Sequence, residues 1–306
     1  MPHVKQLQKL INDFQDRQPI RAGSLIITVY GDIVAPHGGS VWLGSLINLL
    51  EPLGLNDRLV RTTVSRLSKD NWLAATQVGR RSYYALTKSG QRRFDSATPR
   101  VYAGPRVEWD ETWCSVILPA SLKTQKDAVK KELGWLGFGQ INTNVLIHPK
   151  PNIKAMQQTL EDLDVMNDVV ILSQADQQFT TDEARAQMVN DCWKMDELAE
   201  RYQDFLDIFQ PVADEISNST RPDLLSSTLL RILLVHEYRK ILLRDPLLPL
   251  QLLPDNWQGT AAHQLCKDLY RQVLDDSEKH LNEALETEEG SLPKPSKDFY
   301  DRFGGL

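Results

Sequence analysis

The chain has 306 residues, 41% of them hydrophobic and 25% charged, the composition of a soluble globular protein too long for one ordinary core. Its most apolar run, Leu229 to Leu243, is broken by Arg231, His236, Glu237, Arg239 and Lys240, and the opening MPHVKQLQKLINDF lacks a secretory apolar core, so membrane and secretion readings are excluded. The formal charge of −6 conceals a split, because residues 1–105 carry 14 Lys+Arg against 7 Asp+Glu and the remainder 21 against 34.

A basic module joined to an acidic body points the first third of the chain at a polyanion. Cys114, Cys192 and Cys266 are scattered and odd in number, which excludes a disulfide framework and a CxxC zinc site and fits a reducing cytoplasm.

Residues 20–95 read as a winged-helix DNA-binding domain. SLIITVYGDIVA is an apolar helix ending at the breaker cluster Pro36-His37-Gly38-Gly39, and VWLGSLINLL is a second, ending before Pro52 and Gly54. NDRLVRTTVSRLSKDN opens a third helix with Asn56 as its cap. WLAATQV and SYYALT are β-rich runs joined by Gly79-Arg80-Arg81, a hairpin with a basic tip.

Residues 108–175 read as a ferredoxin-like domain in β-α-β-β-α-β order: TWCSVILP, SLKTQKDAVKKELGWL, FGQI, NVLIHP, NIKAMQQTLEDL and DVVILS. Residues 180–290 are helical in period, in three stretches. A proline-punctuated segment, DPLLPLQLLPDNWQG, separates the last two, and residues 291–306 read as an extended tail. The fold class is therefore α+β.

The third helix carries the sharpest signal. At about 100° per residue, Leu59, Val60, Thr63, Val64 and Leu67 fall on one face, and Arg58, Arg61, Thr62, Ser65, Arg66 and Lys69 on the other. Four cations interleaved with two hydroxyls suit a helix in a major groove, where arginine takes phosphates or guanine edges. A merely solvated face ordinarily mixes both signs, yet no acid stands between Asp57 and Asp70. Arg80 and Arg81 then extend the basic face to the wing, as contacts to backbone or minor groove.

LIITVYGD, GGSVWLGSLINLLEPLG, RLVRTTVSRLSKDNWL and VGRRSYYALT resemble the N-terminal domain of the phenylacetate-degradation repressor (PaaX) family. HEYRKILLRDPLLPLQLLPDNWQGTAAHQLC and the closing RFGGL resemble its C-terminal part, so the resemblance spans nearly the whole chain. It implies a dimeric repressor of phenylacetate catabolic genes, released from operator DNA by phenylacetyl-coenzyme A. The family's central domain is similar in fold to the small nuclease of CRISPR spacer acquisition, which holds a metal with an acidic residue at the end of its first strand. Here that strand ends Val116-Ile117-Leu118-Pro119 with no carboxylate, so nuclease chemistry fails at its essential position and dimerisation is the expected use.

Catalytic motifs are wanting. His236-Glu237 begins an HExxH pattern, but position 240 is Lys, and Gly134, Gly137 and Gly139 are wrongly spaced for a dinucleotide loop. The six histidines show no ligand clustering, so neither an enzyme nor a resident cofactor is expected. An acyl-coenzyme A effector needs cations for its phosphates and an apolar slot for its aryl group. The segment from Arg231 to Trp257 offers both, which makes His236, Tyr238, Arg239 and Trp257 the candidate lining residues. For a histidine beside an apolar face, a hydrogen-bonded structural role is the plainer alternative. The competing functions are an effector-independent architectural DNA binder and a nucleic-acid-processing enzyme using the central domain.

Overall fold

The computed structural model describes residues 4–102, 109–122, 125–175, 181–218 and 221–306. The expected domain starts at 108 and 180, and residues 123 and 124 of the helix expected over 121–136, lie outside these.

Helix α1 (Lys5–Gln15) was not anticipated, although Leu7, Leu10, Ile11 and Phe14 recur at helical spacing and are all buried. Helix α2 (Ala22–Val29) continues through a π-helical stretch (Tyr30–Val34) and a 3-10 turn (Ala35–His37), until Gly38 at φ 90° turns the chain. A short strand β1 (Ser40–Trp42) leads into α3 (Leu43–Leu50), which ends in the Glu51–Leu53 turn. Helix α4 (Asp57–Lys69) starts at Asn56, whose Oδ1 accepts the Leu59 amide at 2.9 Å and satisfies one orphan donor of the first turn.

Strands β2 (Leu73–Val78) and β3 (Arg81–Leu86) pair with Val78 opposite Arg81. Gly79 and Arg80 alone therefore make the turn, and Gly79 supplies its positive φ of 59°. β1 pairs with the other side of β3, giving an antiparallel sheet of order β1-β3-β2. Three residues are too few to show an alternation, which is why β1 was missed. Helix α5 (Lys88–Tyr102) follows, running past the expected domain end at residue 95 and anchored by buried Phe94, Val101 and Tyr102.

Strand β4 (Thr112–Ile117), α6 (Lys126–Trp135), β5 (Gly139–Asn142), β6 (Val145–His148), α7 (Ile153–Asp162) and β7 (Val170–Ala175) follow in β-α-β-β-α-β order. Their sheet runs β5-β6-β4-β7, antiparallel throughout. Val116 and Leu146 of the strands meet Val129, Leu133, Met156 and Leu160 of the two helices in one core.

Helix α8 (Asp182–Trp193) and α9 (Met195–Ser217) were read as one, but Lys194 at φ 53° breaks the helix between them. Trp193 stacks on Trp113 with centroids 6.4 Å apart, and Gly139 makes room for its indole. Helix α10 (Leu224–Leu242) is buried on every side from Leu229 to His236, as a core helix should be. After the Pro-rich segment come α11 (Gln258–Ala284) and a two-stranded ribbon, β8 (Glu286–Thr287) with β9 (Gly290–Ser291).

These elements form two compact units: residues 1–104, 204–240 and 261–306 in one, and residues 105–203 and 241–260 in the other. The helical stretch 180–290 is thus divided between both units. The expected extended tail is a further correction. Residues 297–299 and 302–304 form 3-10 turns in which Phe299, Arg302 and Phe303 are buried. The tail is irregular because it is Gly/Pro-rich, but its two phenylalanines and its arginine have an interior to enter.

Candidate nucleic-acid interface

Helix α4 is amphipathic in the expected sense. Val60, Thr63, Val64 and Leu67 are buried and Leu59 is half-buried, while Arg58, Arg61, Thr62, Ser65, Arg66 and Lys69 are all exposed. Helices α2 and α3 pack against it, so the polar face is displayed on a rigid support. Two details modify the reading. Arg61 directs Nε to both carboxylate oxygens of Asp57 at 2.9 Å, and Thr62 spends its hydroxyl proton on the Arg58 carbonyl at 2.8 Å.

The hairpin tip is less basic than expected. Arg80 occupies the turn and is exposed. Arg81 opens β3, but its guanidinium lies 4.4 Å from the Trp42 ring centroid and pairs with Glu286. Its charge is turned toward the protein by an aromatic face and a carboxylate, neither near it in sequence.

Sequence reasoning missed Arg21. With Ser24, Thr62 and Arg66 it lines a cavity of about 480 Å³ between the start of α2 and α4.

The four effector candidates have different surroundings. His236 Nδ1 lies 3.0 Å from Thr28 Oγ1, and Arg239 donates from Nε to the same hydroxyl at 3.2 Å. That hydroxyl also lies 3.0 Å from the Ser24 carbonyl, so its proton goes either to that carbonyl or to His236 Nδ1. Burial pushes His236 down to about 3, against the pull of Glu237, so the ring is neutral at physiological pH. Arg239 also donates to the Ser24 carbonyl and hydroxyl at 3.1 and 3.0 Å. Tyr238 is buried, with its hydroxyl 3.2 Å from His263 Nδ1 and its ring against Phe205.

Trp257 belongs to the other unit, where it packs edge-on to Tyr202 with centroids 5.7 Å apart. Tyr202 in turn donates to Asp245, whose second oxygen accepts the Leu247 amide at 2.6 Å. The Pro/Trp loop is therefore pinned at both ends. Trp257 lines a cavity of about 800 Å³ whose wall includes Met195, Leu252, Asp182, Glu183, Asp196, Asp255 and one cation, Arg185, which pairs with Asp182. That lining offers an apolar surface for an aryl group and more acids than cations. Nor is the expected cationic patch on α10 intact, because Arg231 is wholly buried and spent on Asp32 and Glu278.

Asp32 is the hub of a second constellation that sequence reasoning did not find. Its carboxylate accepts from Arg231 at 2.7 Å, Arg302 at 2.9 Å, and the hydroxyls of Tyr102 and Tyr270 at 2.5 and 3.0 Å. Burial alone would raise its pKa, but Arg231, Arg302 and the Tyr102 hydrogen bond hold it below the usual carboxylate range. An acid inside an apolar helix was the available signal.

Burial raises all three thiols, and Cys192, also beside Asp191, reaches about 11, so none is an activated nucleophile. Among the described residues no group of three or more His, Cys, Asp or Glu stands ready for a metal, and no helix is long and apolar enough to cross a membrane.

Residues 21–90 match the family model of PaaX-like proteins, residues 106–186 that of the PaaX protein central Cas2-like domain, and residues 193–283 that of the PaaX-like protein C-terminal domain. The transcriptional repressor PaaX of Escherichia coli (strain K12) is 33% identical over 306 residues, which cover 99% of this chain and 96% of that protein. Among solved structures, the uncharacterized protein Rv0674 from Mycobacterium tuberculosis superimposes with a TM-score of 0.54 at 20% identity, over 84% of this chain and 97% of that one. The last likeness speaks to fold alone. With models matched along its length and a relative this similar end to end, the chain belongs to the PaaX family.

Proposed function

We propose that this chain is a cytoplasmic DNA-binding transcriptional repressor of phenylacetate catabolic genes, released from its operator by phenylacetyl-coenzyme A. It works by occupying DNA and performs no chemistry. The observation that carries the reading is the outer face of α4, where Arg58, Arg61, Ser65, Arg66 and Lys69 are exposed on a helix whose opposite side is core. On this reading α2 to β3, with the β1-β3-β2 sheet, is a winged helix. Its α4 enters the major groove, and Arg80 reaches the backbone from the wing.

The β4–β7 sheet is then a ferredoxin-like domain, and its use is dimerisation. Strand β7 is an edge strand with Val170 and Leu172 exposed and no charge from Val170 to Ala175. Unguarded edges of this kind pair with another strand, and two-fold pairing of two copies would set two wings on neighbouring half-sites. The effector comes from family membership, with His236, Tyr238 and Arg239 as proposed contacts in one unit and Trp257, in the other unit, as a separate candidate. Of these, His236 and Arg239 touch α2 directly and Trp257 offers an aryl-sized wall.

The test is fluorescence anisotropy on duplex DNA from upstream of the chain's own gene, with and without phenylacetyl-coenzyme A. Tight, salt-sensitive binding that the thioester abolishes supports the reading. Binding indifferent to it makes the chain an architectural DNA binder, and magnesium-dependent cleavage makes it a nuclease.

A further inference from the structure

Beside the DNA face of α4 lies the cavity of about 480 Å³ bordered by Arg21, Gly23, Ser24, Thr62 and Arg66, with no carboxylate in its lining. Several other arginines of the same unit are matched with acids: Arg17 with Glu237, Arg61 with Asp57, Arg81 with Glu286, Arg231 and Arg302 with Asp32. Among the described residues neither Arg21 nor Arg66 enters an ion pair, and both are exposed to solvent. Two unneutralised guanidiniums therefore face one concavity.

The hydroxyls there are not equivalent. Thr62 has committed its proton to the Arg58 carbonyl. Ser24 Oγ instead accepts from Arg239 at 3.0 Å, which leaves its own proton to be donated to a ligand. Gly23 sets the space. A Cβ at that position would stand 3.0 Å from the Arg66 terminal nitrogen, so any side chain there crowds the guanidinium that lies across the start of α2. The cavity thus offers Arg21, Arg66 and the Ser24 hydroxyl as converging donors with no competing acid, which is the chemistry of a phosphate site.

We propose that this cavity seats one phosphodiester of the DNA backbone, flanking the groove that α4 enters, and that Arg21, Ser24 and Gly23 are parts of the interface. The proposal rests on the reading of α4 as a DNA-binding helix. The seat reads no bases, so it fixes register and adds affinity equally on every sequence.

The experiment compares the full-length protein with Arg21→Gln, Gly23→Leu and Lys154→Gln, the last an exposed cation on α7 serving as a control. Operator and random duplexes are titrated across a salt series, and folding is checked by thermal melts. Arg21→Gln should flatten the slope of log K against log salt by roughly 0.9, and lower affinity roughly tenfold near 0.1 M salt on both duplexes. Gly23→Leu fills the seat without removing charge and should do the same, whereas Lys154→Gln should match wild type. Because Arg21 is exposed, its variant folds even if the plugged one does not.

If Arg66→Ala weakens DNA binding but Arg21→Gln keeps wild-type affinity and slope, the seat is refuted and the α4 reading survives. If the wild type binds no duplex at all, both fall. The same phosphate chemistry could serve the effector. An Arg21→Gln protein that loses phenylacetyl-coenzyme A affinity but keeps its DNA affinity would overturn the assignment to the DNA backbone.

Discussion

Asp32 and Arg231 form an ion pair that water does not reach, with Nε 2.7 Å from Oδ2 and the two side chains 1% and 0% exposed. A buried pair offsets its desolvation only when every remaining donor and acceptor is matched. Here Arg302, Tyr102 and Tyr270 complete the carboxylate, and Glu278 takes the second nitrogen of Arg231. Two carboxylates, two guanidiniums and two tyrosine hydroxyls meet here, drawn from α2's continuation, α5, α10, α11 and the C-terminal segment. The pair therefore specifies how five separate stretches assemble.

Removing one partner strands the other in the interior. Asp32→Asn should cost about 3–5 kcal/mol, measured by urea denaturation at neutral pH. Arg302→Met should cost less, because Arg231 still neutralises Asp32. A depressed carboxylate contributes stability that is present above its unfolded value and lost as pH falls through the folded one. The Asp32 contribution should therefore persist at pH 5 and fail only in stronger acid.

On α4 the structure separates two arginines that looked alike in sequence. Among the described residues Arg66 enters no ion pair, whereas Arg61 is held by Asp57. Arg66→Ala should flatten the salt slope by roughly 0.9 if it meets a phosphate, or cost about 1–3 kcal/mol at one base pair if it reads a base. Asp57→Asn releases Arg61 and removes an anion from the face, so DNA affinity should rise roughly threefold to tenfold. An affinity that falls would place Asp57 in the helix cap alone.

The wing residues divide in the same way. Arg80→Ala should weaken operator binding and leave the melting temperature unchanged. Arg81→Ala removes the contacts with Trp42 and Glu286, so it should lower the melting temperature and change DNA affinity much less. The reverse pattern in paired melts and titrations would mean that Arg81 swings out on the DNA.

What the sequence made legible was local. The two faces of α4, the Gly79 turn and the β-α-β-β-α-β order follow from periodicity and turn chemistry, because each is decided within about fifteen residues. The break at Lys194 was not legible, since a lone residue at φ 53° leaves helical periodicity intact on both sides. Non-local partners were invisible too. Nothing near Arg81 announces Glu286, and nothing near Arg231 announces Asp32, so an arginine counted toward a cationic patch on α10 is part of the core. The tail follows the same rule: Gly/Pro content predicts an irregular backbone but carries no sign of the interior that Phe299, Arg302 and Phe303 enter.

His236 gives a pH signature. Its folded value of about 3 lies well under the ordinary 6.5, so the unfolded chain binds the proton more readily. Stability is whole above about pH 6.5 and declines as pH falls toward 3. Between pH 7 and 5 the loss should be about 2 kcal/mol from this residue. His236→Asn keeps a polar group opposite Thr28 and should flatten denaturation midpoints over that interval. An unchanged slope would mean that other histidines dominate it.

Arg239 is where an effector on α10 would be felt at the DNA. Its guanidinium grips Ser24 and Thr28 of α2, and α2 packs against α4. For release, phenylacetyl-coenzyme A must favour the arrangement that holds DNA poorly, and a hundredfold loss of operator affinity needs about 2.7 kcal/mol of coupling. Linkage is reciprocal, so saturating operator DNA should weaken effector binding by the same factor. Arg239→Gln loosens the connection without altering the outer face of α4. The variant should bind operator within a few-fold of wild type, yet its two effector affinities, with and without DNA, should converge. In the cell it would repress and resist induction. Two affinities still a hundredfold apart would show that the signal bypasses α10, and the search for the effector site would move to the other unit, where Trp257 lines its acidic cavity.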